Sequence, residues 1–511
     1  MQKATLKFIF GLLLLAKSIC TYAQNVTITP DGITPASNST YPRLAYDALL
    51  TLPNPQKGDI AYDLTFGCLR AYNGQKWICT NQSIAATSTP NLAATATHGG
   101  RGNDQGQGIG TDAMGNVYVA GFFADTITFQ NTTKITRAAH CLFVSKYNSS
   151  GTLQWVQTAG GTGYTYTTGL TVDSVGNSYA VGYFTGTVMI GNTTMTASPV
   201  NFFIAKYNTD GDFQWVKTGI GGVPYKVTLD KNNNVYIAGA FSNTLNIEGR
   251  SRNSQGNFDA FLAKYDSEGN YKWYKTAGSG NYDAAFGIAV DANNNVYIAG
   301  KFQGVITFFD LTKVSQGASD AFIAKYSPDG AIQWAESFGG ENDDEASDIA
   351  IDEHNFVYCI GSFDASANFK GTYKQSKGLR DIFILKLHPN RDVAWIETIG
   401  GIGNEVVCKL TLDNESNVYI TGNFNDSIDF GTTNKIPVGD EDVYVAKYHK
   451  KGILLWVQTI EGPDTQQAQA IATDNNGNVY LTGFFRQTTS FADISFISAG
   501  REDIFIARLQ M

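Results

Sequence analysis

The chain has 511 residues, 43% of them hydrophobic and only 16% charged, with 46 acidic residues against 37 basic ones and a formal net charge of −9. That is ample material for a large core, and the acidic balance gives no general attraction to phosphate backbones, so nucleic acid is excluded as a partner class. The five histidines form no H-E-x-x-H pair, and the chain has no G-x-S-x-G elbow and no C-x-x-C pair, so neither a nucleophile-elbow hydrolase nor a zinc site is indicated.

Residues 1–23 read as a cleaved signal peptide: Lys3 and Lys7 precede an apolar run from Phe8 to Ala16, and the small Ala23 precedes Gln24. The run is too short to span a bilayer and Lys17 interrupts it, and no later stretch approaches transmembrane length. The expected location is therefore outside the cytoplasm, in the periplasm, at the cell surface or in the medium. Residues 24–57 carry Pro, Thr, Ser and Asn with little pattern and read as an extended lead. Residues 58–81 read as a small β-module, with turn signals between apolar alternations, and 82–90 as a linker. Cys68 and Cys79 stand 11 residues apart in this module, and export makes a disulfide between them the expectation.

From residue 91 to 511 the chain repeats. Tyrosine in an N-V-Y or closely similar setting recurs at Tyr118, Tyr179, Tyr236, Tyr297, Tyr358, Tyr419 and Tyr480, at steps of 61, 57, 61, 61, 61 and 61. Each unit divides into four short segments rich in Val, Ile, Phe, Tyr and Thr, with Gly, Asn and Asp between them, which is strand-and-turn chemistry. No helical periodicity is sustained, so the class is all-β. Four strands in about 60 residues cannot bury both faces alone, and units packed side by side around an axis make a β-propeller. Seven units predict seven four-stranded blades.

Six units carry a Trp on the fourth strand, Trp155, Trp215, Trp273, Trp334, Trp395 and Trp456, but the seventh ends after three strands at D-I-F-I-A-R-L-Q-M. Counting back 24 residues from Tyr118, the usual Trp-to-Tyr distance, lands on Ala94. Residues near 91–98 are therefore expected to supply the missing strand beside 501–509 and close the ring.

The units read D-x-x-G-N-V-Y-V-A-G-F-F, then D-A-F-I-A-K-Y, then a W-V-Q-T-A-G-G strand. This resembles the SBBP family of β-propeller repeats over about residues 91–511. The resemblance implies a bacterial, exported propeller that serves as a binding or surface module, and it supplies no catalytic residues to transfer.

An acid precedes each tight turn, at Asp112, Asp173, Asp230, Asp291, Asp352, Asp413 and Asp474, and reads as a cap on its own backbone. Cations recur on the third strand, at Lys146, Lys206, Lys264, Lys325, Lys386, Lys447 and Arg508. Their stems are expected to pack while their heads find an acid or a strand-end carbonyl. Four residues past the Gly-Gly or Gly-Ser step, in the loop entering each innermost strand, stand Asp104, Thr165, Asp283, Asp344, Glu405 and Gln466, with Asp343 and Glu345 adding acid locally. Asp104, Asp283, Asp343, Asp344, Glu345 and Glu405 are the candidate ligand- or cation-binding residues, a partial carboxylate ring at the channel rim that would suit Ca2+ or a cationic ligand. Tyr164, Tyr166, Tyr225 and Tyr282 share those loops.

No cofactor is indicated beyond that possible Ca2+, and no catalytic motif is present. The expected function is a non-catalytic scaffold that binds a protein or glycan through loops at one face. The alternatives are a carbohydrate-active hydrolase or lyase using channel carboxylates, and a purely structural or adhesive surface protein.

Overall fold

A computed structural model of the chain describes residues 91–136, 138–491 and 494–510, and among residues 1–90 chiefly the backbone of short strands. The chain divides into two units, Met1–Ala86 and Thr87–Met511.

In the first unit, Leu6–Phe10, Tyr22–Thr29 and Gly32–Pro35 pair antiparallel in that order. The segment read as an extended lead thus contains a hairpin. Residues 11–21, including most of the expected signal's apolar run, lie outside the described residues. A second sheet runs through Arg43–Leu44, Ile60–Asp63, Cys68–Tyr72 and Trp77–Cys79. In its last hairpin Arg70 is opposite Cys79, which puts Cys68 two positions along the same strand face, and the two cysteine side chains lie outside the described residues.

The second unit is all-β among its described residues, with no helix long or apolar enough to cross a membrane. Each repeat runs from an innermost strand through a second and a third to an outer strand. In the fourth repeat these are Ala284–Val290, Val296–Phe302, Asp320–Tyr326 and Ile332–Gly340, paired antiparallel in that order. A small hairpin, Val305–Phe308 with Leu311–Val314, sits between the second and third strands. The second strands are buried on both faces, with Val296, Tyr297, Ile298, Ala299 and Phe302 all in the core. This is why they read as continuous apolar runs rather than alternating ones.

The innermost strands touch one another in chain order, and Gln466–Thr473 of the last repeat returns to Gln105–Thr111 of the first. The ring is closed by the strand Asn91–Gly100, which pairs with Asp503–Gln510. Arg508 lies opposite Ala93, one residue earlier than the spacing argument placed it, because the bulge in this pair falls between Ile506 and Ala507 rather than after the cation. The outer strand's last two residues then pair with the next repeat's hairpin, as Gly339 and Gly340 do with Asn368 and Ala367.

Repeats are joined by a recurring clamp. The turn acid Asp352 accepts the N–H groups of His354 and Phe356 at 3.0 and 2.9 Å, and its other oxygen accepts the buried Tyr358 hydroxyl at 3.1 Å. Lys386, on the third strand, lies with its ammonium 4.5 Å from the Tyr358 ring centroid and donates to the Lys450 carbonyl of the next repeat at 3.1 Å. Trp395 Nε1 donates to that same carbonyl at 2.9 Å. The pattern recurs with Lys146 and Trp155 on Thr209, and with Lys264 and Trp273 on Pro328. The expected acid partner is used by Lys325 and Lys447, which meet Asp291 and Asp413 at 3.4 and 3.3 Å, while the carbonyl taken is one in a turn of the next repeat rather than at a strand end. Burial pulls the Lys386 ammonium down to about 8 despite Asp352.

Two predictions follow from closure and clamp. A chain beginning at residue 101, which lacks the closing strand, will aggregate or lose its cooperative melt, and gel filtration with calorimetry reads both. Tyr358→Phe removes one hydrogen bond to a charged group and should cost about 1.5–3 kcal/mol in denaturant titration.

Candidate functional site

The innermost strands alternate their side chains, so successive positions face opposite ways. Asp104, Asp283, Asp344 and Glu405 occupy the inward positions and are essentially fully buried between repeats. They do not form the exposed rim that the loop position suggested. Asp343 is exposed and Glu345 half-buried, so these two do reach the mouth.

Each buried acid fastens its own loop. Asp344 accepts the N–H of Gly340 at 2.7 Å and of Asp364 at 3.3 Å, and Asp283 accepts the Ser279 hydroxyl at 2.8 Å and the Gln303 N–H at 3.2 Å. Asp104 accepts the Ala124 N–H at 3.2 Å. Facing these acids is a second set, the Asp that opens each third strand: Asp259, Asp320, Asp381, Asp442 and Asp503, each buried and accepting an N–H four residues back, as Asp503 does from Ala499 at 2.9 Å. The first glycine of the Gly-Gly step makes room for this group. A Cβ on Gly339 would sit 2.7 Å from Asp320 Oδ1 and 2.8 Å from Asp344 Oδ2, so the two carboxyls flank one small gap.

Four junctions thus hold an acid pair: Asp104 with Asp503, Asp283 with Asp259, Asp344 with Asp320, and Glu405 with Asp381. A fifth sets Asp442 beside Gln466, and the first two repeats are neutral, with Cys141 near Thr165 and Asn201 in place of the acid. Burial, reinforced by the neighbouring carboxylate, pushes Asp104 and Asp344 up to about 8 and Glu405 to about 7. Asp283 rises to about 6, chiefly by burial, as do Asp320, Asp442 and Asp503. Among the described residues no three of His, Cys, Asp and Glu converge as metal ligands.

The channel mouth itself is divided. On one side lies a run of aromatic rings: Tyr164 and Tyr166 stack at 6.0 Å and 11°, Tyr166 and Tyr183 at 5.1 Å and 26°, and His140 meets Tyr166 edge-on at 4.8 Å. Burial lowers the His140 proton affinity. Tyr225 packs on Phe286 at 5.3 Å and Phe258 on Tyr282 at 5.2 Å. Tyr164 is 46% exposed.

On the other side are polar groups. Lys301 lies over the Tyr282 ring and pairs with Glu345 at 3.2 Å, while Arg380 bridges Glu345 at 3.7 Å and Asp364 at 2.8 Å. Beyond them Gln467 donates to Glu441, and Gln105 to Glu502, both at 2.6 Å. The predicted Tyr164, Tyr166, Tyr225 and Tyr282 thus all belong to the aromatic side. Tyr183, Lys301 and Arg380 were missed because they lie on second and third strands, whose ends the fold brings to the mouth. Their signal was available as two positions that differ between repeats, one four residues past the recurring Tyr (Phe122, Tyr183, Ala240, Lys301) and one just before the third-strand Asp (Phe258, Ser319, Arg380, Glu441).

Residues 154–186 match the SBBP β-propeller repeat family. This stretch is a β-propeller repeat. An uncharacterized WD repeat-containing protein of Acanthamoeba polyphaga mimivirus is 23% identical over 528 residues, covering 83% of this chain and 38% of that protein. The regulatory protein FlaEY of Caulobacter vibrioides is 26% identical over 111 residues, 21% of this chain and 12% of that one. The chain therefore spans well under half the length of these curated relatives. Among solved structures, the Dos1 propeller superposes with a TM-score of 0.40 at 7% identity, covering 81% of this chain and 94% of that one.

The buried acids predict a pH response. Their folded proton affinities lie above the ordinary carboxylate range, so their contribution to stability is fully present below about pH 4 and is lost as pH rises through 6 to 8. The melting temperature should fall between pH 5.5 and 8.5, within roughly the window these groups span, and Asp344→Asn should flatten that fall and raise stability at the alkaline end.

Proposed function

We propose that this protein is an exported, seven-bladed, non-catalytic binding scaffold whose ligand, a glycan, seats at the channel mouth. The observation that carries this reading is the continuous aromatic run beside amides and charged groups. Flat rings cover the apolar faces of sugars, while Gln105, Gln467, Glu345 and Arg380 offer donors and acceptors to hydroxyls. An extended peptide is the second ligand class that such a surface fits. The leader-like N-terminus supports export. Catalysis by the paired carboxyls is disfavoured because each pair is buried between repeats and engaged by loop N–H groups, whereas glycoside cleavage needs its two acids beside an open cleft.

Affinity electrophoresis of the full chain against a panel of soluble polysaccharides tests the proposal. Retardation by at least one polysaccharide, reduced about tenfold or more in affinity by Tyr164→Ala with the melting temperature unchanged, is the expected outcome. Retardation identical in the two proteins would contradict it.

A further inference from the structure

About three residues further along the innermost strands, roughly 10 Å below the mouth, the channel wall carries charge at its mid-level, the waist. Three repeats place Lys226, Asp348 and Lys409 at one position, where the other four have Gly108, Gly169, Gly287 and Ala470. Lys226 of the third repeat passes Gly287 of the fourth to form an ion pair with Asp348 of the fifth. A Cβ on Gly287 would stand 2.9 Å from the Asp348 Cα, so the glycine lets the innermost strands of the fourth and fifth repeats approach closely. The Asp348 carboxylate also receives the N–H groups of Ile349 at 2.9 Å and Leu410 at 3.2 Å, so its acceptor capacity is largely used.

Lys409 stands on the next strand, half-buried, and among the described residues no hydrogen bond or ion pair engages its ammonium. Burial chiefly, and the Lys409 charge after it, lower the Lys226 proton affinity against the pull of Asp348. Two ammonium groups against one carboxylate leave a net positive charge inside a channel whose walls are protein, where a field is focused rather than dispersed. A protein of net charge −9 has placed an unbalanced cation at its axis. The half-buried Ser347 hydroxyl, one residue before Asp348, adds a donor at the same level.

We propose that the waist is a binding site for an oxyanion group of carboxylate, sulfate or phosphate size, held by Lys409 with Lys226 and Ser347 beside it. The site stands independently of the glycan reading, which enters only through the source of the anion: free in solution, or the acidic group of a saccharide seated at the mouth.

Titration calorimetry of the full chain at constant ionic strength, first with inorganic phosphate and then with tetragalacturonate, tests it. Phosphate should bind saturably, and Lys409→Met should weaken it about tenfold or more without lowering the melting temperature in phosphate-free buffer. Lack of saturable binding, or equal binding by Lys409→Met, overturns the site. If tetragalacturonate binds and is weakened by both Lys409→Met and Tyr164→Ala, the acid belongs to the mouth ligand. If phosphate alone responds to Lys409→Met, the anion is free, and the site stands in either case. Failure of the glycan reading would show separately, as Tyr164→Ala having no effect on any saccharide while phosphate binding remains intact.

Discussion

The ring is tied together by the third-strand cations, and in three repeats the cation and an outer-strand indole meet on a single turn carbonyl of the next repeat. A four-stranded sheet of this size exposes two apolar faces, and neither is buried until a neighbour arrives. The clamp fixes how that neighbour sits. Lys386 gives up hydration, as its lowered proton affinity shows, and recovers interaction from the Tyr358 ring, Asp352 and the Lys450 carbonyl. Because the turn acid holds both its own loop and the Tyr hydroxyl, the turn, the second strand and the next repeat are set by the same few atoms.

The buried acid pairs serve the opposite end of each junction. They order the loops that enter the innermost strands, at the cost of placing two carboxyls in one dry gap. Not every junction carries the pair: Asp442 stands beside Gln466, and Cys141 and Asn201 replace the acid at two others. With loop geometry fixed from below, the next residue along each strand is free of structural duty. Gln105, Tyr166, Glu345 and Gln467 occupy that position, and the diversity of the mouth follows from it.

Much of the fold was legible because the repeat fixes it. The 61-residue step, the Lys-to-Trp spacing and the truncated last unit together pointed to strands, clamp and closure. What was not legible was direction. A loop position does not say whether an acid faces water or a neighbouring sheet, and Asp283 and Asp344 look the same in sequence as Asp343 does. Strand alternation settles it: the residue beside each buried acid faces the channel. The waist charges were hidden for another reason. Lys226 and Asp348 lie 122 residues apart and meet because the ring brings the third and fifth innermost strands to the same channel.

The central claim is that ligand recognition belongs to the channel mouth and not to the hairpins or the outer strands. Hydrogen exchange with and without a saturating polysaccharide measures this most directly. The account predicts added protection in the segments around Tyr164–Tyr166, Tyr282 and Arg380, with the outer strands unchanged. Protection confined to the hairpins, such as Val305–Val314, would contradict it.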